Sequence, residues 1–181
     1  YHAPDPQIDW TTIPEDRLRV DILEGIPNKK SWKFRPPRLA ETFTQPHFAF
    51  IEIPNRYSER GVKVDRPDPF MVRAMSRMTL PQGKKRILLR ARNAARLYID
   101  DKLVAKTDFH RITNSGHDIV YDVDLSLAPN IRPLHRGDTE QVVDYTGDGK
   151  PHRIRFEMIV GGSRHRPDFG ETAVFIGNPG E

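Results

Sequence analysis

From residue 47 onward, apolar and polar positions alternate with a period of two, the mark of strands buried on one face. Residues 47–53 open the series, and residues 54–69 follow as a long polar loop. In residues 72–80, Val72, Ala74, Met78 and Leu80 share one face, and Arg73, Met75, Arg77 and Thr79 the other. Pro81-Gln82-Gly83-Lys84 is turn chemistry. Ile87, Leu89 and Ala91 then alternate with Leu88, Arg90 and Arg92, so the two runs are expected to pair as a hairpin. A second hairpin turns at Asp100-Asp101-Lys102, between Leu97 and Ile99 on one side and residues 103–105 on the other. Asp101 is expected to hold a positive φ, which Asp tolerates better than most residues. Further strands are expected at residues 119–125, 141–143, 152–160 and 173–176, with Gly147-Asp148-Gly149-Lys150 as a turn and Gly161-Gly162 as a stop. The expected fold is all-β: an antiparallel sandwich or barrel of about 8–10 strands.

Residues 1–45 show little periodicity. Seven of the 16 prolines fall within residues 1–46. Thr12 and Pro14 have the chemistry of a short helix start. The remainder is expected to be a Pro-rich extended lead-in that packs on a domain formed by residues 46–181, with Trp10, Trp32 and Phe34 as its anchors.

Composition narrows the function. No Cys is present, which excludes disulfides, a thiolate nucleophile, a cysteine zinc site and c-type haem attachment. No apolar run reaches the ~20 residues needed to span a bilayer, so no membrane insertion is expected. The net charge of +4 is uneven: 17 basic and 11 acidic residues lie in 1–90, 12 and 14 in 91–181. Arg outnumbers Lys by 20 to 9, which favours planar, bidentate ion pairing. The basic stretch at residues 29–38 has interleaved aromatic residues, but its prolines favour extended packing over a nucleic-acid contact. No Gly-rich strand-to-helix loop supports a nucleotide fold, and no Gly-x-Ser-x-Gly or His-Glu-x-x-His supports catalysis. No pair of acids stands out as a glycosidase pair. The chain begins at Tyr1 without an apolar leader, so a processed piece of a longer protein is expected.

One segment carries a resemblance. Arg90-Ala91-Arg92-Asn93-Ala94-Ala95-Arg96-Leu97-Tyr98-Ile99-Asp100-Asp101-Lys102-Leu103-Val104 is similar to the central hairpin of the protective-antigen-type β-sandwich family. Gly149-Lys150-Pro151-His152-Arg153-Ile154-Arg155-Phe156-Glu157 resembles a later strand of that family. The likeness covers roughly residues 70–177. Asp65-Arg66-Pro67-Asp68-Pro69, residues 81–90 and residues 161–172 are closer to the copy of this domain in large exported bacterial proteins that also carry c-type cytochrome domains. The resemblance implies an extracytoplasmic, non-catalytic module that binds glycan or cell-surface polysaccharide. The alternative it leaves is a structural domain that docks on neighbouring domains.

The adhesin branch of the family binds calcium through adjacent aspartates in the bend before the Arg-Leu-Tyr segment. Here that bend reads Arg92-Asn93-Ala94-Ala95, so calcium is not expected as a cofactor, and no metal site is expected. Asp100-Asp101 and the Asp144–Gly149 region read as turns. Sugar sites need aromatic rings and planar polar groups, which makes Asn93, Tyr98, Asp100, Asp101, His110 and His117 the ligand candidates. Trp32 and the two Arg-Pro-Asp loops, Arg66 to Asp68 and Arg166 to Asp168, are the interface candidates. In those loops Pro fixes φ and the flanking charges can lock the chain by ion pairing.

Overall fold

A computed structural model describes residues 6–109, 134, 138–162 and 167–180. Twelve strands occur among them: β1 (Leu18–Glu24), β2 (Arg38–Gln45), β3 (Ala49–Phe50), β4 (Arg56–Tyr57), β5 (Lys63–Val64), β6 (Phe70–Thr79), β7 (Gly83–Ala91), β8 (Ala95–Ile99), β9 (Lys102–Thr107), β10 (Thr139–Gly147), β11 (Pro151–Val160) and β12 (Thr172–Gly177). They form an antiparallel sandwich. The larger sheet has the order β2-β1-β6-β11-β8-β9 and the smaller β10-β7-β12-β3, with β4-β5 as a separate ribbon. The strand expected at residues 119–125 lies outside the described residues.

The core forms where the inner faces meet. Alternate residues of each strand point the same way, so Leu18, Val20 and Ile22 of β1 join Phe70, Val72 and Ala74 of β6 and Ile154, Phe156 and Met158 of β11. Ile87, Leu89 and Ala91 of β7 come from the opposing sheet. Phe50 stacks on Phe156 between the sheets, with centroids 5.3 Å apart.

Three expectations need correction. Residues 72–80 and 84–92 are strands, but they do not pair: β6 bonds β1 and β11, whereas β7 bonds β10 and β12. Leu80 and Pro81 carry the chain from one sheet to the other, because both strands bury an apolar face in the same core. The link from β10 to β11 crosses the sandwich beside it. The two crossings touch so closely that a Cβ on Gly147 would sit 1.8 Å from the Pro81 carbonyl oxygen. Secondly, the lead-in supplies strands: β1 lies second in the larger sheet and pairs with both β2 and β6. Thirdly, the expected helix start is one 3₁₀ turn, Trp10–Thr12, capped by the Asp9 side chain. It passes directly into Ile13 and Pro14, where Pro14 accepts a backbone bond from Arg77 of β6.

The hairpin between β8 and β9 is as expected. Asp100 and Asp101 have φ of 49° and 64°, the pair of positive angles of a two-residue turn whose twist matches that of the strands.

Candidate functional site

The strands that bury apolar residues inward present a second set outward, and the register aligns these in rows across the larger sheet. One row runs Leu23, Met71 and Ile159. Two residues along, the next runs Asp21, Arg73, Glu157, Arg96 and Lys106. The third includes Arg19, Met75, Arg155 and Tyr98.

The apolar row is roofed by the segment that follows β1. Ile26 and Phe34 bury on it, and Trp32 and Phe109 pack against that cluster. Pro27, Pro36 and Pro37 keep the segment extended, since each fixes φ and offers no N–H for a strand ladder. The neighbouring charged rows line an open groove of about 510 Å³. Pro6, Gln7, Trp32, Pro36 and Pro37 contribute from the segment, and Arg73, Arg96, Tyr98, Arg155 and Glu157 from the sheet.

Among the described residues the lining is cationic, with three guanidinium groups to one carboxylate. The Arg155 side chain is 2% exposed; it donates to Glu157 and places its guanidinium 3.9 Å from the Tyr98 ring centroid. Arg73 approaches the same carboxylate at 3.4 Å. Arg96 lies 4.4 Å from the Trp32 ring centroid, and its Nη1 donates to the Tyr98 hydroxyl at 3.4 Å. The stacking limits the freedom of each guanidinium and so pre-aims its planar fork of donors. A second cavity, of about 330 Å³, opens between the sheets among Leu80, Ile87, Ile154 and Phe175; apolar side chains dominate its lining.

The ligand candidates separate. Tyr98 lines the groove. Asn93 is buried and donates to the Gly161 carbonyl at 3.2 Å, so it holds the bend before β8. Asp100 and Asp101 lie at the β8–β9 turn in a different set of contacts. His152 places Nδ1 2.6 Å from Asp100 and Nε2 2.8 Å from Asp148, and Arg153 pairs with Asp101 at 2.9 Å. The hydrogen bonds that His152 donates to Asp100 and then Asp148 push its imidazole above its ordinary range. The bond from His152 holds the Asp148 carboxyl low. Desolvation works to raise Asp100, but the bonds from His152 and the Arg153 N–H leave its carboxyl below the usual value. Burial, then Asp148 and Asp100, raise the nearby Tyr145 phenol. No group of three or more metal-binding side chains suited to a metal ion occurs among the described residues. His110 and His117 lie outside the described residues.

Of the interface candidates, Trp32 lines the groove. Arg66 pairs with Glu41 at 2.5 Å and donates to the Pro54 carbonyl. Asp68 accepts from the Gly162 N–H at 2.6 Å, and Asp168 pairs with Arg92 at 2.8 Å. These three therefore tie loops to the sandwich. Arg166 lies outside the described residues. The groove residues that sequence reasoning missed are Arg73, Arg96, Arg155 and Glu157. Their signal was present: three strands each place Arg at positions that alternate with the core residues.

No family model and no curated protein matches the chain. Among solved structures it is similar to a beta-glucosidase from Kluyveromyces marxianus in complex with glucose, at 14% identity and a TM-score of 0.48, over 87% of this chain and 15% of that one. A GH31 alpha-xylosidase from Xanthomonas citri gives 14% and 0.45, over 90% and 14%. An anti-sigma factor domain-containing protein gives 16% and 0.41, over 96% and 43%. The chain spans about a seventh of the length of the two glycosidases and under half of the third. At these values the likeness decides nothing about function.

Proposed function

We propose that this chain is a non-catalytic carbohydrate-recognition module of the protective-antigen type within a larger exported protein, and that the groove on the larger sheet holds the sugar. The observation that carries the reading is the pairing of Trp32 and Tyr98 with stacked guanidinium groups inside one open groove. Catalysis has little to work with there. Glycoside hydrolysis uses two carboxyl groups. The groove's one described carboxylate, Glu157, is held by Arg155 and Arg73.

A glycan array followed by calorimetry tests the reading, with wild type beside Trp32→Ala. Wild type should bind a subset of polysaccharides. Trp32→Ala should lose that binding at least tenfold while keeping the same circular dichroism. Silence of wild type across neutral, acidic and sulfated glycans would remove the reading. A domain-docking role would then stand in its place. That second reading is favoured by the exposed Phe175, Ile176 and Ile51 on or beside the smaller sheet.

A further inference from the structure

The charged row of the larger sheet has a break in its pattern. Asp21, Arg73, Glu157 and Arg96 alternate in sign across β1, β6, β11 and β8, as cross-strand neighbours should. On β9 the residue opposite Arg96 is Lys106, so two cations face one another. Like charges directly opposite are destabilising. Asp21 is already held by Arg19 at 2.9 Å and by the Thr42 hydroxyl at 2.8 Å, and Glu157 by Arg155 and Arg73. Neither Arg96 nor Lys106 has a carboxylate partner among the described residues. Arg96 nevertheless has its guanidinium fixed in place over Trp32, on the lining of the groove.

We propose that the groove selects an acidic sugar, one whose ring carries a carboxylate, of the hexuronate class. This inference rests on the sugar-binding reading above. The sugar carboxylate sits at the Arg96 guanidinium, and Lys106 adds its charge from the next strand. The pyranose ring lies along Trp32 and Tyr98. The sign alternation of the row is then complete: the ligand supplies the anion that the row lacks among the described residues.

The test is calorimetry on the full chain with oligomers of galacturonate, glucuronate and mannuronate. Each is measured beside its carboxyl-reduced, neutral form and beside a sulfated neutral oligomer, at low and high salt. At least one uronate should bind about tenfold tighter than its reduced form, the worth of one charge-assisted hydrogen bond. Added salt should narrow that gap. Lys106→Gln, at an exposed position, should shrink the preference, and Arg96→Gln should abolish it. Equal binding of acidic and neutral forms overturns the inference and leaves the sugar-binding reading intact. Equal binding of the sulfated oligomer shows that charge alone is read and overturns the hexuronate class. Binding of no saccharide overturns both.

Discussion

The two faces of β11 differ in kind although they are equally buried. Inward, Ile154, Phe156, Met158 and Val160 meet apolar partners across the sandwich. Outward, Arg155 is 2% exposed and Glu157 6%, beside Tyr98 and Arg73. Burying apolar surface is favourable in itself. Burying an ion pair costs desolvation that the attraction between the charges only sometimes recovers. Stability alone explains the inner face. It does not call for the outer one, where hydrophobic residues would cover the sheet at least as well. On the proposed reading, the network instead fixes the guanidinium groups beneath the open groove.

That contrast can be broken in order of size. Phe156→Ala should cost about 3–5 kcal/mol in urea unfolding, because it removes the ring stacked on Phe50 at the centre of the core. Glu157→Ala should cost about 3 kcal/mol, since it leaves the buried Arg155 and the half-buried Arg73 without their shared carboxylate. The double change Arg155→Met with Glu157→Leu should be neutral or stabilising, by up to a few kcal/mol, while abolishing saccharide binding. A double variant that unfolds would mean the network holds the sheet together rather than serving the groove.

The smallest effect concerns the β8–β9 turn. His152 is held above its ordinary pKa of 6.5, so its contribution to stability is complete below pH 6.5 and is lost as pH rises through the higher folded value. Asp100 and Asp148 are lowered from 3.8, so theirs is complete above pH 3.8 and is lost as pH falls through the lower folded values. The bridge is therefore strongest between those limits. Melting temperature against pH should decline above 6.5 in wild type, and His152→Gln should flatten that decline. Saccharide affinity at the groove should be the same in His152→Gln and wild type.

The all-β class and the turn at Asp100-Asp101 were legible in the sequence because both are local: period-two alternation and two adjacent residues suited to positive φ. Strand partners were not. The run Pro81-Gln82-Gly83 reads as a hairpin turn, yet it crosses between sheets, and only the shared core decides between the two. β1 carried the same local signal, since Leu18, Val20 and Ile22 alternate with Arg19 and Asp21, but so short a run within a Pro-rich stretch reads as extended lead-in rather than as a sheet strand. Tyr98, a ligand candidate from its chemistry, and Trp32, an interface candidate, both line the groove. Arg73, Arg155 and Glu157 were missed, because charged outward positions read as a solvated face until the segment bearing Phe34 is seen to lie over the sheet.

A sugar in the groove sits against Trp32, and that residue alone can report on it. The protein has two tryptophans, and Trp10, which lies against the Arg153 guanidinium, is not among the described residues that line the groove. In Trp10→Phe the emission belongs to Trp32. Titration of that variant with whichever saccharide wild type binds should shift Trp32 emission saturably, with a midpoint equal to the calorimetric Kd. Saturable binding by calorimetry with silent Trp32 emission, lost on Asp100→Ala and Asp101→Ala, would place the sugar at the hairpin end and contradict the account.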